Sequence, residues 1–296
     1  MRFLTEASGG MTSAYLQRAI KEAGHSSVGS DIKALTSAVC LSDDSLVLPP
    51  VDDPCLWEKL EVLLKLHNID VVIPTLDEMM PGWAQRKSDL HSRGIEVIIS
   101  PRETIDLFRD KWFTYRFFVE NSIPTPKTSL VQEYRLIKPR CGRGSSGVRI
   151  VDNQVDMTGL ISQEVVKGQE YTVDVFCDHL GEPVYIVPRK RLHTVDGKSV
   201  EAVTARHPSI EHYVKKIVKA SKIIGPVNVQ CFLDGESIFF IELNPRFGGG
   251  TALGMAATEN WITLIIDNLI RRKPIAFKPI KYGLRMIRYY AECFIS

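Results

Sequence analysis

The 296-residue sequence lacks several features that would assign it to a class directly. Lys and Arg outnumber Asp and Glu by only 37 to 35, and no long basic run occurs, which excludes the strongly positive surface typical of nucleic-acid-binding proteins. No apolar run approaches the roughly 20 residues that a membrane-spanning helix needs. Glu6 precedes any apolar core of signal-peptide length, so no export is expected. These absences predict a globular cytoplasmic protein with no nucleic-acid or membrane partner.

Cysteine is sparse, and its spacing excludes the common zinc motifs. The six cysteines occupy positions 40, 55, 141, 177, 231 and 293, and no pair of them is two residues apart. The seven histidines form no nucleophile–base or metal-binding spacing either. The sequence therefore predicts free thiols, buried or exposed, in a reducing cytosol.

The first hundred residues alternate short apolar runs with helical patterns. Candidate strands are Arg2–Leu4, Val71–Ile73 and Val97–Ile99. Alternation of this kind is typical of a parallel sheet built from strand–helix units. Residues 1–103 are therefore predicted to form a small, doubly wound α/β domain.

The pattern changes after this point. Residues 101–121 favour two consecutive helices, and from residue 134 onward short strands are joined by tight turns. Val184–Val187 is one such strand, and Val227–Leu233 is predicted to form a hairpin with Ser237–Leu243. Residues 104–296 are therefore predicted to be an α+β, mostly antiparallel domain.

A glycine-rich loop follows Lys138. Its small residues are Gly142, Gly144, Ser145, Ser146 and Gly147. The glycine spacing matches a dinucleotide-binding loop, but that motif must open a helix, whereas residues 148–151 favour a strand. The Lys-Ser/Thr pair of a Walker loop is also missing. One interpretation is a flap whose N–H groups close over phosphate oxygens beside Lys138, within a mobile lid of about residues 125–167. The other is a surface hairpin with a solvated lysine. This segment alone leaves both interpretations open.

A hairpin near the end of the chain carries oxygen ligands. Glu242 and Asn244 are two residues apart on a strand, so they point to one face, and Gln230 on the paired strand reaches the same face. One carboxylate and two amide oxygens suit Mg²⁺ bound beside phosphates. Arg246 follows on that face and is placed to hold a phosphoryl oxygen. A structural ion pair between Glu242 and Arg246 is the alternative.

In this order, these segments resemble the ATP-grasp superfamily, most closely its branch similar to the large subunit of carbamoyl-phosphate synthetase. The most specific element is Gln230 followed by Glu242-x-Asn244-Pro245-Arg246 and three glycines; Asp110-Lys111 and residues 163–174 support it, and residues 70–78 resemble that branch's pre-ATP-grasp domain. The likeness covers nearly the whole chain. It implies a pre-ATP-grasp domain followed by a two-lobed ATP-grasp domain.

The resemblance also implies ligands, namely ATP with Mg²⁺, or Mn²⁺ in its place. It assigns Lys111 and Lys138 to the phosphates, Glu164, Val166 and Glu170 to the adenosine, and Gln230, Glu242 and Asn244 to the metal. ATP would phosphorylate a small-molecule carboxylate, and an amine would displace phosphate from the acyl phosphate. The expected partners are these substrates and a second copy of the chain in a homodimer.

The substrate carboxylate needs cations of its own. Arg189 and Arg191 share a strand face just after an apolar strand, and their guanidinium groups match a planar carboxylate. Together with Arg246 and the glycines at 248–250, they are predicted to bind the carboxylate and its acyl phosphate. A solvated strand end is the alternative for the run that contains Arg189 and Arg191.

Three other functions compete with this one. Gly9-Gly10 before a helix, with Asp31 further on, suggests a nicotinamide dinucleotide, but the three-glycine spacing is missing. The second is a protein that only senses ATP, although side chains competent for catalysis fill the expected positions. The third is a synthetase-like ATP-binding subunit that needs a partner. It follows from the number of ATP-grasp units, since this chain has one and the synthetase large subunit has two.

Overall fold

The computed structural model describes residues 1–10, 13–144, 146–195 and 197–295. The chain forms two compact units. Unit 1 comprises Met1–Ile99, Glu259–Ala276 and Tyr289–Ser296, and unit 2 comprises Ser100–Thr258 and Phe277–Arg288. The predicted domain boundaries, residues 1–103 and 104–296, differ from this grouping because they place Glu259–Ala276 and Tyr289–Ser296 in the second domain. The predicted boundaries stay a prediction.

Unit 1 is built on a parallel sheet. Its strands are β1 (Arg2–Thr5), β2 (Ser26–Asp31), β3 (Asp44–Val47), β4 (Val71–Ile73) and β5 (Glu96–Val97). They lie in the order β3-β2-β1-β4-β5, and each neighbouring pair is parallel. The helices between them are α1 (Ala14–Glu22), α2 (Ala38–Leu41), α3 (Leu56–Leu66) and α4 (Met80–Ser92). Leu4 and Val72 are fully buried, as expected of central parallel strands. The predicted α/β domain is confirmed.

Unit 2 begins with two consecutive helices, as predicted, and a small antiparallel sheet. The helices are α5 (Arg102–Arg109) and α6 (Lys111–Glu120). The strands are β6 (Thr128–Ser129), β7 (Leu136–Pro139), β8 (Arg149–Ile150) and β9 (Leu160–Gln163), in the order β6-β9-β7-β8. We call residues 125–167, which contain this sheet, the lid. Its mobility stays a prediction.

A larger antiparallel sheet completes unit 2. Its strands are β10 (Gln169–Cys177), β11 (Pro183–Val195), β12 (Lys198–Thr204), β13 (Gly225–Asp234), β14 (Ser237–Asn244) and β15 (Arg285–Ile287), in the order β14-β13-β10-β11-β12-β15. Helix α7 (Pro208–Ser221) precedes β13, and α8 (Thr251–Ala257) follows β14. Strand β11 extends well beyond the predicted Val184–Val187, so the arginines at 189 and 191 lie inside the strand and not after it.

The two faces of the larger sheet differ in chemistry. Val173, Val229 and Leu243 are fully buried and belong to one apolar cluster with Phe118 of α6 and Val214 of α7. Burying such a side chain contributes roughly 1.5–3 kcal/mol to folding. Because side chains alternate along a strand, the residues between them point to the other face. That face carries the polar side chains of the candidate site.

The apolar run near the end of the chain is helical. Helix α9 (Trp261–Leu264) continues as a π-helix over Ile265–Ile270. Trp261, Ile262 and Ile265 are fully buried, so this helix packs against the rest of the protein. Across the described ranges, no helix combines the length and the apolar character that crossing a membrane requires.

Cys40 and Cys293 form a disulfide within unit 1. The expectation of free thiols is therefore wrong for this pair. Cys55 and Cys141 are exposed thiols, and Cys177 and Cys231 are buried ones. The bonded cysteines are separated by 253 residues in sequence, so no local spacing could indicate that they pair.

Candidate active site

Four neighbouring strands contribute one polar row across the larger sheet. Its members are successive register partners on β11, β10, β13 and β14: Arg189, Thr172, Gln230 and Glu242. Directly opposed residues share a face of the sheet. The structure therefore brings together Gln230 and Glu242, two of the predicted metal ligands, and leaves both half-buried.

Asn244, the third predicted ligand, is the last residue of β14 and shares the face of Glu242. Arg246 lies beyond the end of the strand and so does not belong to the strand face as predicted. Its side chain folds back instead, and its Nη2 donates to Asn244 Oδ1 at 3.3 Å. The guanidinium thus reaches the predicted ligand set by way of the turn after β14.

Asn228 is a further polar residue of this face, which the sequence pattern did not single out. It is the register partner of Asp174 on β10 and of Asn244 on β14. Its side chain is buried, and Nδ2 donates to Asp174 Oδ1 at 3.4 Å. The sequence could have indicated Asn228, because it lies two residues before Gln230 and alternate residues of a strand share a face.

Lys138 of β7 is a buried cation close to these residues. Its Nζ donates to the neutral Gln163 Oε1 at 2.7 Å. Burial lowers the pKa of Lys138 to about 8, the Glu242 carboxylate opposes that shift, and Lys111 adds to it. Lys138, Lys111 and Glu242 are therefore close enough to interact electrostatically, although they come from three separate elements.

The start of α6 is fixed to the glycine loop. Asp110 accepts a bond from the Trp112 N–H at 2.8 Å, which caps the helix, and it pairs with Arg140 at 2.6 Å. The Lys111 N–H donates to Arg140 O at 2.8 Å, and Lys111 Nζ donates to Gly142 O at 2.9 Å. Lys111 is thus held at the loop, while its contact with phosphate stays a prediction, and Arg140 is a residue that the motif alone did not indicate.

The loop itself joins two antiparallel strands, β7 and β8, which confirms the strand–loop–strand prediction. Gly142, Gly144 and Gly147 all have positive φ angles, which glycine adopts without steric cost. At Gly147, a Cβ atom would also lie 2.9 Å from Pro139 Cγ. The Ser146 N–H donates to Arg143 O at 3.3 Å. Ser145, predicted to bind phosphate, lies outside the described residues.

The predicted adenosine residues lie at the end of the lid, where Glu164 and Val166 are found, and just after it, where Glu170 lies in β10. Glu164 is exposed, and its N–H donates to Lys127 O at 2.9 Å; Val166 is half-buried. Glu170 pairs with Arg191. Burial raises the pKa of the Glu170 carboxyl, Arg191 lowers it, and Glu242 raises it. Glu170 and Glu242 therefore belong to one electrostatic cluster.

The two strand arginines are already paired inside the protein. Arg191 also donates from Nη2 to Gly197 O at 2.7 Å, in addition to its bond to Glu170. Arg189 is only 1% exposed and forms an ion pair with the fully buried Asp174. Their contact with a substrate carboxylate stays a prediction, and the pairing of Arg189 suggests a different role, developed below.

The arrangement fits a nucleotide with a divalent cation. Glu242 offers a charged oxygen and Gln230 and Asn244 neutral ones, which is a donor set that Mg²⁺ accepts. Within the part of the chain that the structure describes, no three His, Cys, Asp or Glu side chains are gathered as for a metal site. On the cationic side, Lys138 is buried beside a neutral amide, a costly arrangement that an anionic ligand would relieve.

The dinucleotide alternative fits less well. Both oxygens of the Asp31 carboxylate accept backbone hydrogen bonds: Oδ2 from the Gly9 N–H at 3.1 Å, and Oδ1 from the Ile32 N–H at 2.8 Å. Asp31 therefore holds the glycine turn to the end of β2. These bonds give the Asp31 carboxylate a structural role in the turn, which accounts for the residue without a ribose.

Two family models match the chain: an ATP-grasp domain over residues 108–250 and a PylC-like N-terminal domain over residues 7–98. The chain therefore contains an ATP-grasp domain, as its motifs indicated. A PylC-like N-terminal domain precedes this ATP-grasp domain.

Individual proteins are similar at low identity. The carbamoyl phosphate synthase large chain of Pseudothermotoga lettingae is 22% identical over 279 residues, which are 80% of this chain and 25% of that protein. The chain thus spans about a quarter of that relative's length. A biotin carboxylase from Campylobacter jejuni has a TM-score of 0.74 at 14% identity, with 96% of this chain and 74% of that one covered. An L-amino acid ligase from Bacillus licheniformis has a TM-score of 0.70 at 16% identity, with 90% and 73% covered. The solved structures show a shared fold.

Proposed function

We propose that this chain is an ATP-dependent carboxylate–amine ligase. It would phosphorylate a small-molecule carboxylate and transfer the acyl group from the acyl phosphate to an amine, with ADP and phosphate as products. The main support is the polar face of the larger sheet, where Glu242, Gln230 and Asn244 come together and Glu242 is close enough to influence the pKa of Lys138. A cytoplasmic location and a homodimer are part of this proposal.

Each predicted residue has a role in it. Gln230, Glu242 and Asn244 would hold Mg²⁺ or Mn²⁺, which when bound reduces the negative charge of the phosphates. Lys111, Lys138 and the glycine loop would bind the phosphates, and Glu164, Val166 and Glu170 the adenosine. Arg246 would hold the carboxylate or the transferred phosphoryl group, because a guanidinium can bind either with two hydrogen bonds. Arg191 would hold Glu170 in place on the adenosine side, since the two side chains form an ion pair.

Oxygen labelling tests this reaction class directly. ADP release is first screened with carboxylic acids paired with amino acids or ammonia, with Glu242→Gln as the control for contaminating activity. The best acid is then supplied with ¹⁸O in its carboxylate. One labelled oxygen should appear in the released phosphate, since the bridging oxygen of an acyl phosphate leaves with it. Amide formation that is coupled to ADP release but yields unlabelled phosphate would rule the proposal out.

A synthetase-like ATP-binding subunit is the second candidate. It is favoured by the fact that this chain spans about a quarter of the synthetase large chain that it resembles. Such a subunit would bind MgATP but release ADP only after a partner chain is added. Measuring ADP release by the isolated chain, with bicarbonate and ammonia among the substrates, separates the two candidates.

A further inference from the structure

A buried ion pair lies against the glycine turn that follows the metal motif. Asp174 of β10 is fully buried, and its partner Arg189 of β11 is 1% exposed. We propose that these two residues are positioning residues, which hold the turn at residues 248–250 and Asn228 in the geometry that the reaction needs. This inference rests on the proposed function for its activity measurement alone.

The Asp174 carboxylate accepts hydrogen bonds from three side chains, and together these four residues form a buried polar cluster. Asp174 Oδ1 accepts from Arg189 Nη2 at 3.0 Å, from Thr251 Oγ1 at 3.0 Å and from Asn228 Nδ2 at 3.4 Å. Asp174 Oδ2 accepts from Arg189 Nε. Each of these donors comes from a different element, and Asn228 is the register partner of the predicted ligand Asn244. The carboxylate therefore ties the metal-binding hairpin to the start of α8.

The glycine turn is in contact with this cluster. The Gly248 N–H donates to Thr251 Oγ1 at 3.0 Å, so the bond chain from Asp174 continues into the turn backbone. A Cβ atom on Gly250 would lie 2.5 Å from Arg189 Nη1. Similarly, a Cβ atom on Gly248 would lie 2.4 Å from Asn228 Nδ2. The absence of side chains at 248 and 250 thus lets the turn pack directly on the cluster, and Arg189 defines how close it lies.

Burial also argues against direct substrate contact by Arg189. Among the described residues, its Nη1 is a buried atom with no hydrogen-bond partner, and it faces Gly250. A buried ion pair contributes little net stability, and here it joins Arg189 to the carboxylate that also binds Thr251 and Asn228. The pair therefore suits a role in fixing the turn, and Arg246, which lies just before the turn, stays the candidate for substrate contact.

The test replaces both charges with apolar side chains, because removing both partners of a buried pair is tolerated far better than removing one. The double variant Asp174→Leu/Arg189→Met should keep its fold and bind MgATP within about threefold of wild type, while kcat for ADP release falls at least about tenfold. Amide hydrogen exchange of residues 245–252 should rise. The control Ile217→Ala, a buried change in α7, should lower stability without faster exchange in that turn.

A double-mutant cycle isolates the contact itself. Gly250→Ala should impair kcat in wild type and add little in the Asp174→Leu/Arg189→Met background, because the clashing guanidinium is gone. If the double variant does not fold, Arg189→Lys serves instead, since it keeps the charge but loses the two-point bond to Asp174. It should raise turn exchange and lower kcat with little change in KM. Unchanged exchange in the turn, or additive losses in the cycle, would overturn the proposal; the exchange readout is independent of whether the ligase reaction is found.

Discussion

Gln230 and Glu242 face each other because the hairpin that carries them contains a bulge. Cys231 is paired with Phe240, and the register then shifts, so that Gln230 is paired with Glu242. With a regular register, Gln230 would be opposite Ile241, and Glu242 would point to the opposite face of the sheet. One extra residue therefore places the carboxylate and the amide on the same side.

Glu242→Gln should remove most turnover and leave the fold intact. The neutral amide provides less charge for a divalent cation, and Glu242 is only half-buried, so little packing is lost. We expect kcat for ADP release to fall by about 100-fold or more, with the melting temperature within a few degrees of wild type. Glu236→Gln, at the exposed hairpin turn, is the matched control. Retention of near wild-type turnover would exclude Glu242 as the metal ligand.

Affinity for MgATP should decline as the pH rises through about 8, where Lys138 loses its proton. Burial lowers the pKa of Lys138 from 10.5, so between about 8 and 10.5 the unfolded chain binds more protons than the folded one. In that window, this residue makes the folded state more stable as the pH rises. Bound phosphate favours the charged form, so calorimetry in buffers of different ionisation enthalpy should report proton uptake above pH 8. Lys138→Met should bind more weakly and lack this uptake.

The lid should become more ordered when nucleotide binds. Gly142 and Gly144 have positive φ angles, and a Cβ atom on either would meet no other atom within 4 Å, so little packing restrains this part of the loop. We expect amide exchange of residues 127–144 to slow by about tenfold or more with a non-hydrolysable MgATP analogue. Exchange in α7 should not change. Equal lid protection with and without the analogue would argue against closure.

Glu6→Gln should flatten the pH dependence of unit 1 stability. Glu6 is buried and accepts bonds from Trp83 Nε1 at 2.6 Å and from the Thr75 N–H at 3.0 Å, while burial raises its pKa from 4.5 to about 7. The folded state thus binds more protons between these values, and stability falls as the pH rises through them, by roughly 3 kcal/mol. Denaturant unfolding at pH 5 and pH 7.5 measures this difference. An unchanged slope in Glu6→Gln would contradict the assignment.

Reduction of Cys40–Cys293 should destabilise unit 1. The disulfide closes a loop across 253 residues of sequence separation, and a bond of this kind typically contributes about 2–4 kcal/mol by restricting the unfolded chain. We expect the unfolding midpoint to fall on addition of a thiol reductant. Cys40→Ser should start at the lower value and show no response, and Cys55→Ser should behave as wild type. Peptide mapping without reductant would reveal the bonded pair, and its absence would contradict the pairing.

Local sequence pattern was sufficient to predict several helices and strands. The pattern of residues 101–121 indicated the two helices α5 and α6, and the strands predicted at Val227–Leu233 and Ser237–Leu243 indicated the hairpin of β13 and β14. Because Gln230, Glu242 and Asn244 all lie in that hairpin, they could be proposed as metal ligands without knowledge of the fold. Strand β2, by contrast, is rich in serine and gave no apolar signal; it is a strand because its backbone pairs with β1 and β3.

Two features of the site could not be read from local pattern. These are the face of the sheet that a side chain occupies and the contacts between residues distant in sequence. The bulge beside Gln230 set which face Glu242 occupies, and the register of β10 with β13 placed Asn228 against Asp174. Arg189 looked like a solvated cation or a substrate contact, yet its charge is buried against Asp174, which lies 15 residues earlier in the chain. Local pattern reports propensity and spacing, whereas the burial of a charge depends on which strands pair, and that is fixed only when the sheet has formed.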